Sequence, residues 1–521
     1  MATRTASKRH RRSHEIHKPT GTLHPRVQAV GPERFGIVCI DCAKARSKIL
    51  LADFYGKVLI PPTVVNHDRG GFEAAIQAVR ESAQRHRLAV VIVAVERTGR
   101  FHLPIQAAFQ AAGFEVRIIH PFATKQFRQP ADPGNKTDDT DLSAIHRAAV
   151  NGFGLLEHEP DPLYAQIQLL ARHRRDLVTK NITLRNQIHD HLQVLMPGLS
   201  AVMNPFVSPL PLWIVKHLGS ADAVLAVGVT GLLKLLRAAG FHPHLKTVEK
   251  IVAWAKAASA PDPQSSTHRR VIIALDSDRT AKLEAIRTVE GDLAGLLART
   301  PYVLLLGIPG INVVTAAEFA GEMGPIDRYP KARSITGRAG LFPSRYQSDT
   351  VDRSHGSLVR RGNHSLRAVI LRIADNLIMC NDHFKAQAAR WRLSGKDARD
   401  IHVRVGGRFC RIAYQMVAGQ SVYRHPSCQH RHYVLEKLIT FLNHHNLECT
   451  LILGILESAA AQLPRSEYRA EAAPLAEELA RTRSKRGTGP CLLGEILPAV
   501  LARLGGDLLP LNASGEPDPT E

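Results

Sequence analysis

The sequence lacks the features that mark membrane-spanning and secreted proteins. Its longest uninterrupted apolar run, residues 88–95, is far too short to cross a bilayer. No signal-peptide pattern opens the chain, and its 7 cysteines are scattered without the spacing of a disulfide framework. Such cysteine usage suits a reducing compartment. We therefore expect a cytoplasmic protein.

Acidic residues are also in short supply. The 47 Asp and Glu residues face 68 Lys and Arg residues, which gives a net charge of +21 and a pI near 10.0. A surplus this large favours a polyanionic partner, and nucleic-acid phosphates are the usual one. The alternative is a soluble protein that is merely basic. The apolar fraction of 44% is ordinary for a globular protein.

Composition and periodicity divide the 521 residues into five segments. They are a disordered basic arm (1–30), an α/β domain (31–155), a helical region with a Pro/Ser-rich linker (156–300), a compact basic domain (301–420) and a helical extension with an acidic tail (421–521). The arm is predicted from seven Lys or Arg residues against the single acid Glu15, with few apolar residues to bury.

The α/β domain has a recognisable order of elements. Apolar runs predict strands at 35–40, 48–52, 57–65, 88–95 and 115–119, and helical spacing predicts helices at 72–86, 103–112 and from about Thr140. The first three strands are expected to form an antiparallel meander. An RNase H-like fold has this order: three strands, followed by a helix, a strand, a helix, a strand and a helix.

Heptad spacing marks residues 163–196. Leu170, Leu177 and Leu184 form one row, and Ile167, Ile188 and Leu195 form the other. This pattern predicts a long helix that pairs with another helix in a coiled coil. The partner is either the chain's own return segment or a second subunit.

Four carboxylates stand at the ends of predicted elements. Asp41 and Glu96 each follow a buried strand, and Asp138 and Asp141 are three apart on a helix, so that they share a face. Four converging acids need a cation among them, and Mg²⁺, with Mn²⁺ as the alternative, takes hard oxygen ligands and bridges to phosphate. The alternative makes Asp41 and Glu96 ordinary strand-end residues and Asp138 a helix cap. Asp139 faces elsewhere and is left out.

Two groups of cysteine and histidine residues could bind metal, but a structural role is favoured for both. Cys39 and Cys42 flank Asp41, and no second pair lies nearby, so that buried structural thiols are expected. A second group lies in the C-terminal extension, at His425, Cys428, His430 and His432. Its spacing matches no zinc pattern, and a solvated basic loop is expected.

Residues 304–317 resemble a helix-hairpin-helix. In such a motif a tight turn exposes backbone N–H groups to a phosphate at a helix N-terminus. Gly310 and Asn312 lie at this turn, and Asn312 is expected to adopt the left-handed conformation that a second glycine would take. A plain helix connection is the alternative.

A segment rich in serine and arginine follows. Arginines there can clamp phosphate and stabilise a pentacoordinate phosphorus. A serine hydroxyl can attack the phosphodiester and conserve its energy in a phosphoserine link. The candidate nucleophiles are Ser344, Ser348, Ser354 and Ser357. The candidate phosphate-binding residues, with the two at the turn, are Gly310, Asn312, Arg345, Arg353, Arg360, Arg361 and Arg367. A loop that only positions phosphate is the alternative.

Both blocks resemble the DEDD-type insertion-sequence transposases, a family related to the Piv-type DNA invertases. The first block comprises Asp41, Glu96 and Lys136-Thr137-Asp138-x-x-Asp141. The second runs from Ile308-Pro309-Gly310 through Gly340-Leu341-x-Pro343, Gln347-Ser348 and Arg361-Gly362-Asn363 to Leu366-Arg367, with an echo in Trp391-Arg392-Leu393-x-Gly395-Lys396. Asp349 departs from the pattern, because glycine commonly follows the serine in this family.

The resemblance implies a RuvC-like domain with a metal-binding tetrad, a coiled-coil segment and a helical domain with its catalytic serine at Ser348. It also implies a nucleoid-associated recombinase that cuts and rejoins DNA, is guided by a structured bridge RNA, and works as a dimer that assembles into a tetramer.

Two rival functions remain open at this point. A Mg²⁺-dependent junction nuclease needs only the four acids and hydrolyses with water. A non-catalytic nucleic-acid-binding relative needs none of them, and Asp349 favours this last alternative.

Overall fold

The structure is a computed structural model of the 521-residue chain. It describes residues 23–129, 134, 137–156, 161–259, 262–344, 346–348, 351–353, 356–359, 362–420, 423, 437–438, 441 and 444–447. Only the backbone is described at 155, 346–348 and 351–353. The chain divides into an N-terminal unit, Met1–Pro160, and a C-terminal unit, Asp161–Glu521, and each is treated by itself.

A mixed sheet forms the centre of the N-terminal unit. Its strands are β1 (Phe35–Cys42), β2 (Arg46–Asp53), β3 (Val58–Asn66), β4 (Val90–Glu96), β5 (Glu115–Ile119) and β6 (Leu155–Leu156), in the order β3-β2-β1-β4-β5-β6. β1, β4 and β5 are parallel, whereas β2, β3 and β6 pair antiparallel to their neighbours. The predicted meander and strand order are confirmed and fit an RNase H-like domain.

Helices cover both faces of this sheet. They are α1 (Leu23–Val30), α2 (Arg69–Arg85), α3 (His102–Ala111), α4 (Pro121–Arg128) and α5 (Asp138–Val150). Alternate residues of β1 enter opposite cores: Phe35 and Ile37 pack with α5, whereas Val38 and Ile40 pack with α2 and α3. This two-sided burial explains why the strands are continuous apolar runs.

The prediction of a disordered arm over residues 1–30 is wrong for its last eight residues. Residues 23–30 form α1, because Leu23 and Val27 are one turn apart and both are buried in the sheet core. Residues 1–22 lie outside the described residues.

The described residues of the C-terminal unit form helices and one short hairpin. Its α-helices are α6 (Pro162–Leu195), α7 (Leu199–Val202), α8 (Leu210–His217), α9 (Ala221–Ala238), α10 (Leu245–Ala257), α11 (Ser265–Leu297), α12 (Val313–Met323), α13 (Ala332–Ala339), α14 (His364–Cys380), α15 (Asp382–Leu393) and α16 (Ala398–Ala418). Strands β7 (Tyr346–Ser348) and β8 (Val351–Arg353) form the hairpin. One core joins α6 and α11 to α12–α16, and a second core joins them to α7–α10.

The predicted long helix is α6, and its partner is the return helix α11. Arg174 Nη2 lies 2.6 Å from Glu290 Oε1, whereas His191 Nδ1 lies 2.8 Å from His268 Nδ1 near the other end. The two helices therefore run antiparallel. Most of the predicted heptad residues are buried: Ile167, Leu177, Leu184, Ile188 and Leu195. The long helix is confirmed, while its supercoiling as a coiled coil stays a prediction.

The predicted conformation of Asn312 is wrong. Asn312 has an extended backbone (φ −115°, ψ 174°) and is the N-cap of α12, where its side chain and Thr315 form a capping box. The left-handed residue is Gly310, with φ +98°. The segment before the turn is a 3₁₀ helix, Pro301–Gly307. The turn therefore follows a 3₁₀ helix and precedes an α-helix, whereas a helix-hairpin-helix has an α-helix on each side of its turn.

A search for membrane-spanning helices covers only the described residues. Among them, no single helix is both long and apolar enough to cross a bilayer, although the bent pair α8 and α9 passes that test jointly.

Candidate active site

The two strand-end acids lie at the same edge of the N-terminal sheet. β1 and β4 are parallel, in a register that puts Asp41 and Glu96 at the same level. Because side chains alternate along a strand, Asp41 shares its face with Cys39, and Glu96 shares the same face with Ala94. Cys39 and Ala94 belong to the core that α5 covers. Both acids are half-buried at the rim of that core.

The other two acids begin helix α5. Thr137, not Asp138, is the N-cap, and its hydroxyl and that of Thr140 form a capping box. The alternative that made Asp138 the cap is therefore wrong. Asp138 is exposed, whereas Asp141, one turn later, is buried. The helix N-terminus favours this concentration of negative charge.

Lys48 lies between the strand-end acid Asp41 and the acids at the start of α5. It stands directly opposite Asp41 in the β1–β2 pairing, and its Nζ lies 2.6 Å from Asp139 Oδ1. The pKa of Lys48 is raised, first by the hydrogen bond to Asp139 and further by the charges of Asp138 and Asp41. The side chains of β1, β2 and α5 thus share one electrostatic environment. Asp139, which sequence reasoning left out, is part of it.

Arg128, near the end of α4, forms an ion pair with Asp141. Both side chains are largely shielded from solvent. Sequence reasoning missed Arg128 because α4 itself was not predicted. The position of Lys48 was open to prediction, because an antiparallel meander brings β2 alongside Asp41.

The donor chemistry of this edge fits a hard divalent cation, because every candidate ligand atom is a carboxylate oxygen. The side chains as placed do not converge, however. Among the described residues, no group of three or more His, Cys, Asp or Glu is arranged to hold a metal ion. Asp139 and Asp141 instead contact Lys48 and Arg128.

Cys39 and Cys42 are free, buried thiols, as predicted. They lie in the cores on opposite faces of the sheet, since residues three apart in a strand point to opposite sides. Burial raises the pKa of both thiols, that of Cys42 to about 12, with smaller contributions from the charges of Asp41 and Glu96. Neither thiol is suited to redox or zinc chemistry at neutral pH.

The predicted serine lies in the C-terminal unit, at the tip of a hairpin. Ser348 is the last residue of β7, and its backbone pairs with Val351 at the start of β8. Ser344, at the base, donates its backbone N–H and its hydroxyl to the Ser357 carbonyl. Ser354 and the turn residue Asp349 lie outside the described residues.

Arg367 fixes the base of this hairpin. Its Nε donates to the Ala339 carbonyl at 2.8 Å, and its Nη2 donates to the Val359 carbonyl at 2.7 Å. These bonds give Arg367 a structural role that the sequence did not indicate. Of the other predicted phosphate contacts, Arg353 is described only as backbone in β8. Three lie outside the described residues: Arg345, Arg360 and Arg361.

Buried carboxylates on α12 support the same region. Glu322 accepts two hydrogen bonds from Arg172 of α6, and a third from Asn363 Nδ2 at 2.9 Å. Asn363 is the N-cap of α14 and lies two residues after Arg361. Burial raises the pKa of Glu322, but the hydrogen bonds from Arg172 and Asn363 outweigh it, so the pKa is lowered overall. One turn earlier, Glu318 is buried against Arg372.

The histidine-rich group of the C-terminal extension lies outside the described residues. It comprises His425, Cys428, His430 and His432.

Comparison with known proteins agrees with the placement of both blocks. A transposase family model of the DEDD IS110 type matches residues 38–197. The model of the IS116/IS110/IS902 transposase family matches residues 302–389. The first range contains all four acids, and the second contains Gly310, the serine hairpin and Asn363.

Relatives found over most of their own length agree with these matches. The uncharacterized 43.6 kDa protein of insertion element IS110 from Streptomyces coelicolor is 24% identical over 62% of this chain and 80% of its own length. The uncharacterized 44.8 kDa protein of IS116 from Streptomyces clavuligerus is 23% identical over 59% and 75%. The transposase for insertion sequence element IS1111A from Coxiella burnetii is 22% identical over 61% and 75%. The chain therefore contains two transposase domains of the IS110 family and is similar to the proteins of IS110 and IS116.

Proposed function

We propose that this transposase cuts and rejoins DNA strands by combining the acidic edge of the N-terminal unit with the hydroxyl of Ser348. The observation that carries the proposal is the common edge of Asp41, Glu96 and the first turn of α5. Three separate stretches of sequence supply carboxylates to one rim of an RNase H-like sheet. Negative charges gathered at one rim are stabilised when a cation lies among them, and this supports a metal site there.

The residues that would hold a divalent cation, Mg²⁺ or Mn²⁺, are Asp41, Glu96, Asp138 and Asp141. When bound, such a cation neutralises charge on the reacting phosphate and on the leaving oxygen. Lys48 and Arg128 hold α5 carboxylates in the described arrangement. We infer that these ion pairs hold the first turn of α5 beside β2 and α4.

Ser348 is the proposed nucleophile. Its hydroxyl would attack phosphorus and give up its proton while the leaving DNA oxygen takes one up, so that a serine–phosphate bond forms as the phosphorus–oxygen bond to the DNA breaks and leaves a DNA hydroxyl. A second DNA hydroxyl then reverses the exchange, and no external energy source is needed. The position of Ser348 at the end of β7 supports this role, since connections between secondary-structure elements often carry functional residues.

The proposed partners are DNA, a structured guide RNA and further copies of this chain, as a dimer that assembles into a tetramer. The net charge of +21 supports two polyanionic partners. Phosphate contacts are proposed for Gly310, Asn312, Arg345, Arg353, Arg360 and Arg361. Arg367 is retained as a residue that positions the hairpin by binding two carbonyls.

The test is denaturing electrophoresis of reactions with DNA that carries the element ends. The wild-type chain should form a covalent protein–DNA adduct, and mass spectrometry should place it on Ser348. Ser348→Ala should lose both adduct and strand cleavage but still bind DNA. Ser344→Ala is the matched control and should keep the adduct, because Ser344 only donates to the Ser357 carbonyl.

Two results would contradict the proposal. Adducts that persist in Ser348→Ala would remove this serine from the reaction. Cleavage without any adduct would instead indicate hydrolysis by water, as in a junction nuclease.

A further inference from the structure

A cavity of about 320 Å³ opens in the helical stretch between the two family-matched ranges. It lies among the loop before α8, α8 itself and the middle of α11. Its volume is at the lower end of the range of small-ligand sites. Neither the acids nor the serine hairpin contributes to it, so the proposed chemistry leaves it unexplained.

Aromatic rings form part of its wall. Phe206, Trp213 and Phe241 line the cavity, and all three are half-buried. Trp213 stacks on His217 with ring centroids 4.5 Å apart, and its edge meets Phe241. His217 thereby fixes the indole ring, which also faces the cavity. A rigid aromatic plane of this kind suits the stacking of another flat ring.

Cationic groups surround a single buried acid beside these rings. Asp276 is 3% exposed and lies 2.5 Å from Lys216 and 2.7 Å from Arg279. One carboxylate holds two cations, so this part of the cavity carries a net positive charge. Arg185 adds a further cation, since its guanidinium lies 4.7 Å from the centroid of the Phe206 ring, where Arg279 also lies at 5.5 Å.

We propose that this cavity binds one unpaired nucleotide of a single-stranded nucleic acid. The base would stack on Trp213, and its phosphate would contact Lys216 and Arg279. Aromatic platforms beside cations are the means by which proteins bind single strands. A purely apolar ligand would gain nothing from the net positive charge beside the rings, and a base within a duplex could not reach the indole ring. Single-stranded DNA and single-stranded RNA both offer this chemistry.

Fluorescence of Trp213 reports on the proposed contact. The chain contains 3 tryptophans, so the full-length variant Trp254→Phe/Trp391→Phe leaves Trp213 as the sole reporter. Short single-stranded DNA and RNA of one mixed sequence, and the corresponding duplex, are titrated into it. Single strands should quench the emission, and the duplex should quench it at least tenfold more weakly. The tighter of the two single strands identifies the natural source.

Two matched variants separate the cavity from general electrostatic attraction. Lys216→Ala should weaken single-strand binding about tenfold, because it removes a phosphate contact beside the stacked base. Lys234→Ala removes the same charge from an exposed position on α9 and should change binding by less than about twofold. Thermal unfolding of both variants checks that the fold is kept.

Three outcomes would overturn the inference: no quenching by either single strand, equal quenching by the duplex, or equal loss of binding in the two lysine variants. The measurement is independent of strand cleavage. An inactive Ser348→Ala protein that still shows quenching would support the cavity whatever becomes of the serine mechanism.

Discussion

Single carboxylates have opposite roles in the two units of this protein. At the sheet edge, Asp41 and Glu96 are half-buried on a rim where further acids begin α5, and this arrangement suits a cation. Within the C-terminal unit, Glu322 is almost fully buried and its oxygens are already satisfied by Arg172 and Asn363. The acids at the sheet edge suit the binding of a cation, whereas Glu322 supports structure.

Substitution of Asp41 tests the role of the sheet edge. Mg²⁺ should stabilise the wild-type chain, by about 2.7 kcal/mol at a hundred times the dissociation constant, because only the folded state assembles the acids. Asp41→Asn should lose most of this stabilisation. Thermal unfolding with and without Mg²⁺ measures it, and the exposed Glu73→Gln is the control. Equal stabilisation of the wild type and Asp41→Asn would contradict the proposed ligand set.

The buried Glu322 predicts a pH-dependent effect on stability. Because the pKa of Glu322 is lowered in the folded chain, its ionised form contributes stability above the ordinary value of 4.5. That contribution is lost as the pH falls through the lower, folded-state value. Glu322→Gln should therefore lower the free energy of unfolding by about 2 kcal/mol at neutral pH, and by less in acid.

Urea unfolding at neutral pH and at acidic pH measures this difference in the free energy of unfolding. The control is Glu284→Gln on the exposed face of α11, which should change stability by less than about 0.5 kcal/mol. A loss in Glu322→Gln that stays constant down to acidic pH would show that the charge of Glu322 is not its cause.

Among the strands and helices, those that depend on a local sequence pattern were predictable. Strands β1 and β4 were predictable because each is a nearly continuous apolar run. Helix α1 was not, because two buried residues in a basic segment carry little signal. At the α12 turn, the sequence alone does not decide whether Asn312 caps a helix or adopts a left-handed conformation.

The residues of the candidate site also differ in how far the sequence predicts their positions. Asp41 and Glu96 follow from the rule that ends of neighbouring parallel strands meet. The position of Lys48 also follows from the antiparallel pairing of β1 and β2, whereas the position of Arg128 depends on tertiary packing. The contacts between Glu322 and α6 also join positions far apart in sequence, and no local pattern predicts them.

The α12 turn provides a test at this scale. Gly310 has φ +98°, and a Cβ there would lie 2.9 Å from the Asn376 carbonyl oxygen of α14. Gly310→Ala should therefore lower the free energy of unfolding by about 1–3 kcal/mol. Gly291→Ala, in α11 with open space around it, should be neutral or stabilise by up to about 1 kcal/mol. Equal effects in chemical unfolding would contradict the described turn.

In the whole molecule, we propose that the two units act on one phosphate. The acids belong to the N-terminal unit and Ser348 to the C-terminal unit. The family match spans both blocks. The claim requires that DNA bring the hairpin tip next to the proposed cation, within one chain or between copies.

Fe²⁺-directed cleavage of the polypeptide tests this claim most directly. Fe²⁺ replaces Mg²⁺ on the DNA-bound chain, peroxide generates hydroxyl radicals at the metal, and sequencing locates the cuts. The prediction is cuts near Asp41, Glu96 and 138–141 together with cuts at 344–353, all absent in Asp41→Asn. Cuts confined to the acids on DNA that carries the element ends would contradict a shared site.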